Sequence, residues 1–138
     1  MNSLRLNYLI YTVILPLLLG LFVYISFRTN TYINNFLNVG LNIKLPIESI
    51  NYFFKFLLPD GIFAFSFTNA FLILWFKEFH LRYLLIPLIF FVSIELFQLL
   101  NIISGTFDFL DIIVMNLFSL LSYYLITKKR RLLCLKEV

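Results

Sequence analysis

Residues 83–103 read YLLIPLIFFVSIELFQLLNII, and this stretch decides the class of the protein. Its only charge is Glu95, and as a helix the run is long enough to cross about 30 Å of hydrocarbon. Three further stretches share this character: 6–27, 59–76 (PDGIFAFSFTNAFLILWF) and 109–127 (FLDIIVMNLFSLLSYYLIT). The whole chain agrees with its parts. Of 138 residues, 62% are hydrophobic, 20% aromatic and 13% charged, and mean hydropathy is +0.95. Soluble domains carry about 25% charged residues. A soluble fold of this size could neither bury so much apolar surface nor solubilise the rest. With one Cys, four Gly and four Pro, the chain is also no disulfide scaffold, collagen-like fibre or disordered segment.

The expected fold is all-α, a four-helix transmembrane bundle forming a single integral membrane domain over 1–138. Its helices fall at about 6–27, 59–76, 83–103 and 109–127, followed by a basic cytoplasmic tail at 128–138. The first span has a basic start, but no small-x-small cleavage site, and the first Ala is Ala64. It is read as a retained helix rather than a signal peptide, bent at Pro16. Residues 29–58 form the longest connection. Two readings stay open for Ile47 to Leu58: a short helix lying at the outer interface, or an extension of the second span.

The basic residues set the orientation. With both ends inside, the inner segments hold eight Lys and Arg (Arg5, Lys77, Arg82 and five in the tail), against Arg28, Lys44 and Lys55 outside. Both termini are therefore expected in the cytoplasm, in a plasma or bacterial inner membrane. The net charge of +4 flanks apolar runs, so the expected partners are membrane lipids and not nucleic acid.

Glu95 is the outstanding side chain. An acid at the centre of a membrane helix costs about 2.5–3.5 kcal/mol. It must face the bundle interior or a wet cavity, be protonated, or have a partner. Gln98 lies three residues on, along the same helix face. Two roles stay open: a proton carrier, acid/base or ligand contact, and a polar clamp between helices. Asp108 reads as the N-cap of the last helix, with Asp111 in its first turn. Asp111, Met115, Ser119 and Ser122 continue that face, with Asn116 at its edge. Asp60 after Pro59 reads as a helix start, and Gly61, Ala64 and Thr68 follow as a strip suited to close helix approach. Under the expected topology Asp60, Asp108 and Asp111 open helices from the outer surface, and Glu95 points to the outer half of its own. The four carboxylates are thus placed to surround an outward-facing cleft.

Other chemistry is poorly supplied. His80, the only histidine, falls in a short inner loop with Lys77 and Glu78, and is read as a solvated residue. No Cys/His set for a metal, Gly-rich phosphate loop or Ser-His-Asp set is present, and no cofactor is implied. Cys134 reads as a free thiol or, in a eukaryotic setting, a palmitoylation site. Tyr123 and Tyr124 suit an interfacial belt.

The segment Pro59-Asp60, then Glu95-x-x-Gln98, then Gly105-Thr106-Phe107-Asp108-x-x-Asp111 resembles the VanZ-like membrane proteins over about residues 59–125. The resemblance implies a small helix bundle with an acid starting one helix, an E-x-x-Q on the next and an acid opening the last. The first family motif, D-K-x-x-H, reads Asp60-Gly61-Ile62-Phe63-Ala64 here, without its Lys and His. An Arg often found before the last acidic pair is missing. The Asn expected four residues after the last acid stands five on, at Asn116, and Ser119 stands where a late glycine is usual. The family is associated with reduced susceptibility to the glycopeptide antibiotic teicoplanin at the cell envelope, and no settled reaction comes with it.

The functional expectation is a VanZ-like envelope protein that binds an amphiphilic or lipid-linked component. Its polar centre would be Glu95, Gln98, Asp111, Asp108, Asp60 and Asn116. The alternatives are a non-catalytic subunit partnered by another membrane protein, a small proton-linked transporter, and a lipid-modifying enzyme. The absence of a nucleophile motif ranks catalysis below binding. The topology is directly testable. With Cys134 replaced, a single Cys at position 104 is expected to react with an impermeant thiol reagent on intact cells, and one at 78 is not. The opposite pattern would move the acids to the inner face.

Overall fold

In a computed structural model, which describes residues 7–28, 36, 43, 45–75 and 82–134, the chain forms four helices and no strand among those residues. They are α1 (Asn7–Phe27), α2 (Glu48–Leu74), α3 (Arg82–Leu99) and α4 (Phe109–Cys134). Each is long and apolar enough to cross a membrane, α4 over Phe109–Lys128. Lys77, Glu78 and His80 lie outside the described residues, as do Arg5, Lys44 and the end of the tail.

Helix α2 is the hub. It packs most extensively on α4 and also against α1 and α3, while α3 packs on α4. The interior inverts the soluble pattern. Ser26, Ser66, Thr68, Asn69, Glu95, Ser119 and Ser122 are buried, while Leu18, Ile89 and Phe109 are more than half exposed. Lipid tails are as apolar as Leu, so apolar contact alone does not drive these helices together. Small residues and hydrogen bonds do. At the α2–α4 seam, Thr68 Oγ1 donates to Ser119 Oγ at 3.0 Å, and Ser119 Oγ donates to the Met115 carbonyl at 2.8 Å. Below it, Ala64, Phe91 and Met115 form a compact apolar cluster with Phe67 against it.

Two prolines distort their helices. A proline has no N–H, and its ring crowds the carbonyl four residues earlier. In both cases the helix widens to a π turn just before it: Ile10–Ile14 ahead of Pro16, and Phe53–Leu57 ahead of Pro59. The carbonyl that Pro59 cannot satisfy belongs to Lys55, and it accepts a hydrogen bond from Arg28 Nε at 3.1 Å. Phe27 stacks on Phe54, centroids 5.4 Å apart. Arg28 lies over the rings of Tyr24 and Phe56 at 4.9 and 5.0 Å. These contacts hold residues 48–58 upright beside the end of α1.

Of the two readings of Ile47–Leu58, the extension of the second span holds, and there is no separate interfacial helix among these residues. Residues 48–74 run as one helix, about 40 Å long at 1.5 Å per residue, which exceeds the slab. It follows that Asp60 does not start a helix but lies twelve residues inside one. The third span is shorter than 83–103. It ends at Leu99, and Gly105 is not its stop. Asn101 takes a left-handed conformation at φ 55°. Its N–H donates to the Gln98 carbonyl at 3.0 Å, and the Ile102 N–H donates to the Phe97 carbonyl at 2.9 Å. This is a Schellman closure with Asn in place of Gly. At the other end of the chain, α4 continues helically past 127 to Cys134.

Gly61 shows how tight the α2–α4 contact is. A Cβ there would stand 2.9 Å from both Val114 Cγ1 and Phe118 Cδ2. Gly61→Ala is expected to cost about 1–3 kcal/mol through overpacking, seen as a lower melting midpoint in detergent. The same change in a Val114→Ala, Phe118→Ala background should cost less.

Candidate functional site

The end of α1, the first half of α2, the last turns of α3 and the start of α4 surround a cleft of about 780 Å³. Four carboxylates line it: Asp60 from α2, Glu95 from α3, and Asp108 and Asp111 from the start of α4. Gln98, Tyr52, Arg28 and Lys55 complete its polar wall, and Phe63, Phe91 and Met115 lie among its apolar residues. Carboxyl groups on the wall outnumber cations two to one.

Glu95 lies one turn from the end of α3, nearer the helix end than a span of 83–103 would put it. It is only 2% exposed. What covers it is protein: the loop after α3 folds back, and the Asp108 backbone N–H donates to Glu95 Oε2 at 3.3 Å. Gln98 follows on the same face and also lines the cleft. Gly105 closes over it. At φ 153° a side chain at Gly105 would be strained, and its Cβ, 2.7 Å from Gln98 Cδ, would push the Gln98 amide aside.

Asp108 caps α4. Its Oδ1 accepts the Leu110 N–H at 2.9 Å, satisfying one of the orphan donors of the first turn. Its Oδ2 accepts a short hydrogen bond from the Tyr52 hydroxyl, which ties α2 to α4 across the cleft mouth. Asp111, in the first turn of α4, stands within reach of the charges of Asp60, Asp108, Glu95 and Arg28. Its Oδ1 is buried and has no hydrogen-bond partner. Asp60 is half-buried, close enough to Arg28 and Glu95 to feel both charges.

Asn116, the remaining residue of the expected polar centre, does not line the cleft. Its amide donates to the Ile112 carbonyl at 2.7 Å on its own helix. That one residue of displacement from the face of Asp111 turns it away. Sequence reasoning did not single out Arg28, Tyr52 or Lys55 as site residues. Arg28 and Lys55 read as topology markers, and nothing local to Tyr52 signals a contact 56 positions on. Among the described residues, no three His, Cys, Asp or Glu side chains are grouped to hold a metal ion. The carboxylates are spread around a wall rather than gathered at a point. Such a wall offers acceptors to several donors of one molecule.

No family model, curated protein or solved structure matches the chain.

The capping role of Asp108 makes a clean distinction. Asp108→Ala is expected to cost about 0.5–2 kcal/mol of stability, whereas Asp108→Asn, whose Oδ1 can still cap and whose amide N–H can donate to the Tyr52 hydroxyl oxygen, should cost less. Thermal melting of the two variants in the same detergent checks this.

Proposed function

We propose that the chain is a membrane-embedded binding protein of the cell envelope, VanZ-like in character, whose acidic cleft takes the polar head of an amphiphile. The observation that carries this reading is the unpaired, buried Oδ1 of Asp111 on the wall of a large cleft rich in carboxyl groups. A buried carboxylate oxygen without a donor is costly, and native proteins rarely leave one so. With a turn of the Asp111 carboxyl toward the cleft, a ligand bearing N–H or O–H groups would supply the donor. A cationic or polyhydroxylated head suits a wall where acids outnumber cations, and Glu95 and Asp60 would flank it. Arg28, already bonded to the Lys55 carbonyl, would act as a positioning residue that keeps α2 upright. The cleft opens at the end of the bundle where α1 and α3 finish and α4 begins. Under the positive-inside count this is the outer face. In this reading the protein binds its ligand, and the carboxyl acceptors of the cleft supply the affinity.

The test is envelope susceptibility. Expression in a glycopeptide-sensitive host is expected to raise the inhibitory concentration of teicoplanin. Glu95→Gln and Asp111→Asn, at wild-type protein levels in the membrane, are expected to abolish the rise. A rise left unchanged by both variants would remove the acids from the function. No rise with the wild-type chain would remove the antibiotic association.

A further inference from the structure

A second hollow opens beside the cleft. It has a volume of about 240 Å³ and lies between α1 and α2, lined by Leu17, Gly20, Leu21, Pro59, Asp60 and Phe63 among others. Two of these, Asp60 and Phe63, also line the cleft, so the hollow and the cleft share a wall. Leu17, Leu21 and Phe63 are 42%, 41% and 47% exposed, so the hollow faces sideways, toward the surface that lipid covers in a spanning bundle. Its floor is Gly20. A Cβ there would already stand 3.1 Å from Ile62 Cγ2, so the two helices meet closely below the groove and leave it open above.

The groove is apolar along Leu17, Gly20, Leu21, Pro59 and Phe63, and its two polar side chains are Tyr24 and Asp60. A hydrocarbon chain satisfies the first part. The Asp60 carboxyl excludes most heads. An ester or alkane brings it no donor, and an anionic head would oppose both it and Glu95, with Arg28 as the cation that Asp60 also feels. An amine answers it, as donor and as cation.

We infer that the groove between α1 and α2 seats the hydrocarbon chain of a single-chain, amine-headed amphiphile, which enters the cleft sideways from the membrane with its amine at Asp60. This rests on the reading of the cleft as a headgroup site. The groove has about a third of the cleft's volume, 240 against 780 Å³, which suits a length of one chain rather than a second head.

The experiment is native mass spectrometry of the purified full chain in neutral detergent, titrated with hexadecylamine, hexadecanol, hexadecanoate and butylamine. Hexadecylamine is expected to saturate at one molecule per chain. The other three should bind about tenfold more weakly, a difference of about 1.4 kcal/mol. Asp60→Asn should erase the preference for the amine over the alcohol. Leu21→Trp, which fills the groove from an exposed position, should erase the preference for hexadecylamine over butylamine, and Leu17→Trp provides a second filling variant. If amines bind without chain-length preference and both Trp variants match wild type, the groove assignment falls and the cleft reading stands. If no probe responds to Asp60→Asn or Asp111→Asn, both fall. Equal, non-saturating uptake of all long-chain probes would mean annular lipid only. A dimer dissociated by Leu21→Trp would give the groove to a second copy. Either result overturns the inference.

Discussion

Within hydrocarbon there is no water to complete a broken backbone hydrogen bond, and each unsatisfied group costs several kcal/mol. This constraint shapes every irregular feature of the fold. Pro59 removes a donor, the helix widens to a π turn, and Arg28 donates to the abandoned Lys55 carbonyl. Helix α3 must end before the chain turns, and Asn101 closes its last carbonyls. Helix α4 must start with exposed donors. Asp108 takes one with its side chain, and Glu95 takes the N–H of Asp108 itself. Of the residues that solve these problems, Arg28, Lys55, Glu95 and Asp108 wall the cleft.

The polar wall is therefore partly structural by origin. Asp108 has a capping duty, Arg28 a bracing one, and Glu95 a hydrogen bond to the loop that buries it. Asp111 stands apart. Its Oδ1 is buried with no partner in the fold, so that atom gains nothing back for its desolvation, and only the position of the carboxylate in the first turn of α4 offsets the cost. Asp60 has a similar standing: it sits in mid-helix, where no orphan N–H awaits a carboxylate. Asp60 and Asp111, the acids least engaged by the fold, would meet the proposed ligand together with Glu95, Asp60 on both the cleft and the groove and Asp111 on the cleft.

The depth of Glu95 changes the energetics as well. Measured on the span 83–103 it lies far from either end and costs as a mid-membrane charge. With α3 ending at Leu99 it is one turn from the helix terminus. Its burial is made by the returning loop and the start of α4, not by distance from the headgroups. A bundle end that is covered by protein can hold several acids at a cost that mid-membrane helices cannot bear.

The amino-acid sequence alone determined the solvent and the class. Long uncharged runs in a chain of 13% charge demand helices that cross lipid, because composition and run length are local properties. It also placed Asp108 as a cap and Glu95 with Gln98 on one face, since capping and the i, i+3 spacing are likewise local. Only the tertiary structure decided that α2 begins at Glu48, that α3 stops at Leu99, and that Arg28, Tyr52 and Lys55 join the acids. Each of these turns on a contact between residues far apart in the chain: Arg28 with Lys55, 27 positions on, and Tyr52 with Asp108, 56 positions on. A run of apolar residues shows that a helix crosses the membrane. Its rotation, its stopping point and its partners depend on which neighbour satisfies the groups that lipid cannot.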